Sequence, residues 1–403
     1  MYERTIYGGK LGLGDLGGSH LHFSFLRVYD NRNSLSHDIF KKIDTTIITG
    51  SSSRIDTNYV GITPQENMIA GVNWGLKLFN SAFQIKSELA VSLFTADLYS
   101  NALNNKDIPQ ALSKYYTPRF TSSADAALSS EMTINLRAVQ LKGGFTYVGP
   151  GYTSLGMGTL INDKQIINGG IGFNLFSGNF IMQTNFQTQS DNLAKQKLYT
   201  SQRNNIGVNL SVRPIQRLSI SVTTNMNTMT NNAKNDTQKV NISSGSYGVN
   251  SNLQIDIAKL KNVFSAGYTT QISSSKNVLR GDTKVSSQGI TIGLNTTYTE
   301  QINSMISANI NSYGAGNTKN STTSLSGGLN YRMFDNKLNN SLTYSMVTSD
   351  ASLSNILGYQ LSYQLFQQSS ISLQTRANFF SGKGASTLKY NESSTTFSWT
   401  YRI

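Results

Sequence analysis

The chain has 403 residues, of which 38% are hydrophobic and only 14% charged, and its formal net charge is +13. Cysteine is absent, which excludes disulfides and thiolate metal centres. The basic residues are scattered rather than gathered into a stripe, which argues against a nucleic-acid interface despite the positive charge.

Uncharged Asn, Ser, Thr, Gln and Gly fill much of the chain, and 20 Tyr and 18 Phe against 5 Pro favour strands over helices. The opening MYERTIYGGK lacks the apolar core of a signal peptide. No run approaches the ~20 apolar residues of a membrane-spanning helix. Next comes GLGDLG, where Gly12, Gly14 and Gly17 match G-x-G-x-x-G. The following FSFLRVYD reads as a strand, not as the helix whose N-terminus would hold a phosphate, so these glycines predict a hairpin turn. His20 and His22 share a strand face and His37 follows alone; lacking a third ligand, they predict no metal site. Residues 30–65 predict a long loop. Residues 100–122 predict a second, in which Asp107 caps a short helix with Pro109 in its first turn.

From about residue 200 onwards, apolar and polar residues alternate. Ile206, Val208, Leu210 and Val212 begin the pattern, and Leu218, Ile220 and Val222 continue it. In 246–257, Tyr247, Val249, Leu253, Ile255 and Ile257 oppose Gly248, Asn250, Asn252, Gln254 and Asp256. The same holds for Ile290, Ile292 and Leu294, for Leu325, Leu329 and Tyr331, for Leu342, Tyr344 and Met346, and for Leu357, Tyr359, Leu361 and Tyr363. A period of two is the strand signature. Short turns fall near 14–18, 80–82, 137–139, 177–179, 214–217, 258–261, 299–301, 334–337 and 366–369. Between them lie longer polar stretches at 227–238, 273–284, 312–322 and 381–387. Strands of roughly 10–13 residues exceed the ~5–6 of globular sheets and approach the ~9–11 that cross a bilayer when tilted. The polar face carries small neutral residues rather than the Lys, Glu and Asp that solubilise a β-sandwich. The pattern therefore predicts an all-β fold: a large antiparallel up-and-down transmembrane β-barrel of 18–20 strands, one domain over 1–403. The turns give nine hairpins and a closing strand near 387–403. Nineteen strands would have to close in parallel, whereas bacterial barrels have even counts, so the expectation is that an N-terminal strand lies upstream of Met1.

The chain ends TTFSWTYRI, with Phe397, Trp399, Tyr401 and Ile403 alternating with Ser398, Thr400 and Arg402. This ending resembles that of the bacterial outer-membrane β-barrel superfamily. The Asn/Ser/Tyr-rich texture and stretches such as FTYVGPGYTSLG resemble its Bacteroidetes members. The resemblance implies a multi-pass protein of the Gram-negative outer membrane, with short periplasmic turns and long extracellular loops. It implies contact with outer-membrane lipid and lipopolysaccharide, and a last strand (Phe397, Trp399, Tyr401, Ile403) read by the barrel-assembly machinery. The function implied is a porin-like channel or transporter for small hydrophilic solutes. The alternatives are a structural or secretion-accessory barrel with a plugged lumen, and the barrel portion of an energy-coupled receptor. In porin-like barrels a long outer loop folds into the lumen, a role that would fall to 100–122.

Strand parity puts Lys86, Glu88, Lys142, Asp256, Arg332, Arg376 and Arg402 on the polar face. A charge on a lipid face costs about 2–4 kcal/mol near the midplane, so these residues are the candidates to line the lumen. Phe176, Phe180, Phe264, Tyr298, Phe334 and Phe366 flank short turns, where an aromatic girdle belongs. Lys234, Lys239, Lys276, Arg280, Lys284 and Lys319 are expected in the long loops, to meet lipid-A phosphates or an anionic solute. Neither a nucleophile elbow nor an Asp–His constellation is present, so the expectation is no enzyme and no cofactor.

Overall fold

Alternation on both sides of a short turn brings two strands into one antiparallel ladder, and that step repeats along this chain. The computed structural model describes residues 2–35, 41–46, 54–59, 62–103, 115–157, 159–276, 281–316, 318–366, 368–383 and 388–401. The first strands are β1 (Arg4–Gly14), β2 (His20–Asp30), β3 (Lys41–Thr46), β4 (Arg54–Tyr59) and β5 (Glu66–Leu78). There follow β6 (Phe83–Thr95), β7 (Ser122–Asn135), β8 (Val139–Val148), β9 (Lys164–Leu175) and β10 (Phe180–Asp191). Next are β11 (Ser201–Ile215), β12 (Leu218–Asn231), β13 (Asn241–Ile257), β14 (Leu260–Ser275), β15 (Thr283–Thr297) and β16 (Ile302–Ala315). The last are β17 (Thr318–Met333), β18 (Leu338–Ser349), β19 (Ser352–Phe366), β20 (Ser369–Gly382) and β21 (Lys389–Tyr401). All but β3 and β4 belong to one sheet of nineteen antiparallel strands in up-and-down order. The expected all-β, up-and-down architecture is observed.

Three expectations change in detail. The stretch 30–65 is not loop throughout, because β3 and β4 pair with each other as a separate ribbon. The stretch 312–322 is not a long loop either: β16 runs to Ala315 and β17 begins at Thr318. Strands are also longer than expected, up to the 17 residues of β13. GLGDLG makes a hairpin turn, as expected: Gly14 takes φ +85, and the Asp15 side chain accepts from the Gly17 N–H at 3.1 Å. The helix proposed at Asp107 and Pro109 lies outside the described residues, as do His37, Arg280, Arg402 and Ile403.

Contacts divide the chain into two compact units. The first comprises 1–136, 140–170 and 187–202; the second comprises 137–139, 171–186 and 203–403. In the first, β1, β2, β5, β6, β7 and β8 pair in that order. Its apolar core is small: Ala90, Val148 and Tyr152, packed by Ile69, Ala127 and Leu160.

In the second unit, β12 to β21 pair consecutively. Residues directly opposite across a ladder share a face. One face therefore carries the row Leu253, Phe264, Leu294 and Ile306. One residue along, the other face carries Asn252, Ser265, Gly293, Ser307, Ser326 and Ser345. The apolar face stays uncovered: Ile292, Leu325 and Tyr344 are each nearly half exposed. Ala233 is the sole buried hydrophobic residue among those described in this unit.

Candidate functional site

In the first unit, two transverse rows of the polar face bring five ionisable groups together. One runs Gly14, His20, Gly75, Lys86, Glu131 and Gly144; the next runs Gly12, His22, Asn73, Glu88 and Ser129. Lys86 is thus directly opposite Glu131, and Glu88 sits between Asn73 and Ser129. Lys142 lies one row away, opposite Thr133. The sequence reading missed Glu131, although its parity with Ser129 and Thr133 against Leu128, Met132 and Ile134 marks it as polar-facing.

The two imidazoles stack, with centroids 5.0 Å apart. The His20 ring nitrogens meet the Gly18 carbonyl at 3.1 Å and Asn73 Oδ1 at 2.6 Å. Glycine makes room for both rings: a Cβ on Gly12 would stand 1.9 Å from the His22 ring, and one on Gly75 would stand 2.4 Å from the His20 ring. Among the described residues no three His, Asp or Glu side chains converge as a metal site would require.

Toward the long-connection end, the polar face of the same unit is covered by residues 149–157 and 159–163 of the connection from β8 to β9. Asn67 is fully buried there and holds the segment with both ends of its amide. Its Nδ2 donates to Ser92 Oγ (2.9 Å) and to the carbonyls of Leu93 and Thr153 (3.1 Å each), while Oδ1 accepts from the Leu155 N–H (3.0 Å). The Asp125 carboxylate accepts from the Gly151 N–H at 2.8 Å, and Ser92 Oγ donates to the Thr153 carbonyl. Tyr152 fills the small core beneath. That core exists because positions of polar parity are apolar here: Ile69, Ala90, Ala127 and Val148, with Leu26 and the fully buried Val28 nearby. This interruption of the alternation was the signal available in the sequence. The segment includes the end of FTYVGPGYTSLG.

The segment is fastened where it leaves. Asp163 accepts from the N–H groups of Asn192 (3.1 Å) and Leu193 (2.8 Å) and forms an ion pair with Lys197. Burial by itself would raise the Asp163 carboxyl. The Lys197 ammonium and the two N–H groups outweigh burial, so its pKa is lowered from the ordinary value.

The second unit offers a barer polar face. Arg332 stands opposite Asn339, in a trough of about 530 Å³ lined also by Asn295, Asn303, Asn330, Ser341 and Gln360. Asn330 donates to Asn303 at 2.9 Å. Arg376 lies between Gly358 and Ser394. Asp256 is at the short-turn end, opposite Lys261 and 2.9 Å from Arg217. On the last strand, Phe397 and Trp399 share the apolar face with Leu373 and Ile371, and Trp399 Nε1 donates to Ser369 Oγ at 2.9 Å.

No protein-family model matches the chain, and no curated protein matches it in sequence. Solved outer-membrane proteins resemble it at low identity. OpdK of Pseudomonas aeruginosa, determined with vanillate, is 10% identical with a TM-score of 0.40, covering 84% of this chain and 92% of that one. OccK8 (OprE) of Pseudomonas aeruginosa is 9% identical with a TM-score of 0.36, covering 94% and 96%. OmpT of Vibrio cholerae is 8% identical with a TM-score of 0.33, covering 84% and 90%.

Proposed function

We propose that the sheet is the wall of an outer-membrane β-barrel in a Gram-negative bacterium of the Bacteroidetes type, and that it conducts small hydrophilic solutes as a porin does. The observation that carries this reading is the exposed apolar band of the second unit. On β16 the band-face residues from Ile302 to Ile310 are Ile302, Ser304, Ile306, Ala308 and Ile310, and on β17 Tyr331, Leu329 and Leu325 continue the band. Beyond it, toward the long connections, the same face turns polar at Ser312, Gly314, Ser321 and Lys319. Nine residues at about 3.4 Å each, tilted by about 40°, span roughly 23 Å, close to the ~25 Å apolar belt of outer-membrane barrels. In water such a face would be buried in a second layer; in hydrocarbon it needs no cover.

The polar face then lines an aqueous lumen, with Lys86, Glu88, Glu131, Lys142, Arg332 and Arg376 among its charged groups and Asp256 near the short-turn mouth. Lipid and lipopolysaccharide surround the barrel, and the barrel-assembly machinery reads Phe397, Trp399, Tyr401 and Ile403. Purified protein in planar bilayers is expected to give discrete ohmic openings. Their absence, both from the intact protein and from a variant with 150–161 replaced by a short Gly/Ser linker, rejects the solute channel. The covered face of the first unit favours a second reading, a barrel whose lumen is plugged by its own 149–163 segment. Openings seen only in the linker variant select it.

A further inference from the structure

We infer that the apolar face of β15, β16 and β17 carries, just past the end of its hydrophobic band, a site for the phosphate of an anionic lipid headgroup. The inference rests on the membrane reading above and adds a ligand to it. Along β15 one face reads Leu294, Ile292, Ile290, then Gln288, Ser286 and Lys284; along β17 it reads Leu329, Leu325, Thr323, then Ser321 and Lys319. Between them on β16, Ile306 and Ile310 give way to Ser312 and Gly314. Gly314 is flanked by Ser286 on one side and Lys319 on the other, and Gly316 N–H donates to the Lys284 carbonyl at 3.2 Å. Two glycines thus leave a floor without side chains between two lysines, in a notch of about 350 Å³ lined also by Ser286, Gln288 and Ser312.

The placement selects the ligand. Strands are about 4.8 Å apart, so Lys284 and Lys319, two strands apart, are spaced to close on one phosphate group from both sides. The hydroxyls of Ser286 and Ser312 supply neutral donors to its oxygens. The notch opens on the face that turns apolar at Ile290 and Ile310, so a bound molecule meets cations and hydrocarbon-facing side chains together. A phosphorylated lipid satisfies both; a free anion satisfies only the first. Two carboxylates lie nearby. Asp282 sits two residues before Lys284, and Asp350 accepts from the Ser321 N–H at 3.3 Å. Beside Asp350, Lys383 Nζ donates to Thr348 Oγ1 and to the Ser349 carbonyl, which adds a third cation.

The test uses the full chain in detergent micelles, titrated with diphosphorylated lipid A and followed by native mass spectrometry. Flotation of the same protein with phosphatidylethanolamine vesicles is measured first. Near a membrane surface each lysine is worth about fivefold in affinity, so Lys284→Gln with Lys319→Gln is expected to weaken lipid A binding about 25-fold. Lys259→Gln with Lys337→Gln, at short turns of the opposite end, is expected to leave it unchanged. Inorganic pyrophosphate at millimolar concentration is expected not to compete. Equal loss in both double variants, or none in the first, overturns the site. Competition by pyrophosphate overturns the lipid as occupant in favour of a soluble anion. If the wild-type protein fails to float, the membrane reading falls and this site with it; if it floats and the first variant binds normally, only the site falls.

Discussion

The two units solve the same problem of solvation in opposite ways. The first contains seven of the eight described buried hydrophobic residues, Ala90, Val148 and Tyr152 among them where the connection from β8 to β9 covers its polar face. The second buries almost nothing apolar, yet builds longer and more regular ladders. A sheet of Leu, Ile and Tyr does not hold its shape uncovered in water, since each exposed side chain forgoes about 1.5–3 kcal/mol of burial. The difference lies in the cover: Val28, Ala90 and Val148 on the polar face of the first unit are buried, whereas Ile292, Leu325 and Tyr344 on the apolar face of the second are nearly half exposed.

The strongest way to break that comparison is a charge in the band. Ile292→Arg on β15 is expected to cost about 2–4 kcal/mol in guanidinium unfolding from lipid vesicles. Thr291→Arg, one residue away on the polar face, is expected to cost under about 1 kcal/mol, as surface substitutions usually do. Equal costs would mean that both faces meet the same solvent, and the band would lose its meaning.

Next in size is the cover of the first unit. Asn67→Ala removes an amide that bridges Ser92, Leu93, Thr153 and Leu155, leaving the Leu155 N–H without its acceptor and the Thr153 carbonyl with Ser92 Oγ alone. The expected loss is about 2–3 kcal/mol in the docking of 149–163. It is read as new protease cleavage within 150–160 while the strands stay protected. Protection unchanged from wild type would show that Tyr152 and the small core hold the segment without the amide.

The sequence revealed the strands and hid the cover. Turns such as Ala258–Lys259 and 334–337 were visible because alternation runs up to them on both sides. Alternation needs two different solvents. Beyond the band both faces are polar, as at Ser312, Gly314, Ser321 and Thr322, so the period vanishes while the ladder continues, and from sequence alone 312–322 resembles a loop. The β3–β4 ribbon was lost in the same way, six-residue strands among polar neighbours. Residues 149–163 carry no period at all. Their imprint lies in other strands, in Leu26, Val28, Ile69, Ala90, Ala127 and Val148, which single-strand reading takes for irregularity. Lys86 and Glu88 were legible by parity, but their relation to Glu131, His20 and Asn73 needed the cross-strand register.

A smaller effect follows from the exit of the cover. The Asp163 pKa is lowered in the folded protein, so the stability it adds is fully present above the unfolded value of about 3.9 and is lost as pH falls through the folded value. Lys197 is half exposed, which limits the ion pair to on the order of 1 kcal/mol. Protease sensitivity of 192–199 is expected to stay low from pH 8 to about 4 and to rise below that. Asp163→Asn is expected to flatten the dependence. A rise already at pH 6 would point to a histidine as the titrating group instead.

The smallest expected effect concerns the last strand. Among the described residues of β21 the apolar face holds Phe397, Trp399 and Tyr401 before Thr395, Ser393, Asn391 and Lys389 follow, and every described residue of the strand is exposed. The indole N–H adds a side-chain hydrogen bond to Ser369 Oγ across the β20–β21 pair. Trp399→Phe keeps an apolar ring and removes that bond; the expected cost is about 0.5–1.5 kcal/mol in vesicle unfolding, with the yield of folded protein unchanged. A fall in yield with no loss of equilibrium stability would separate the two roles of this residue, because it would place the indole in recognition during assembly rather than in holding β21 to β20.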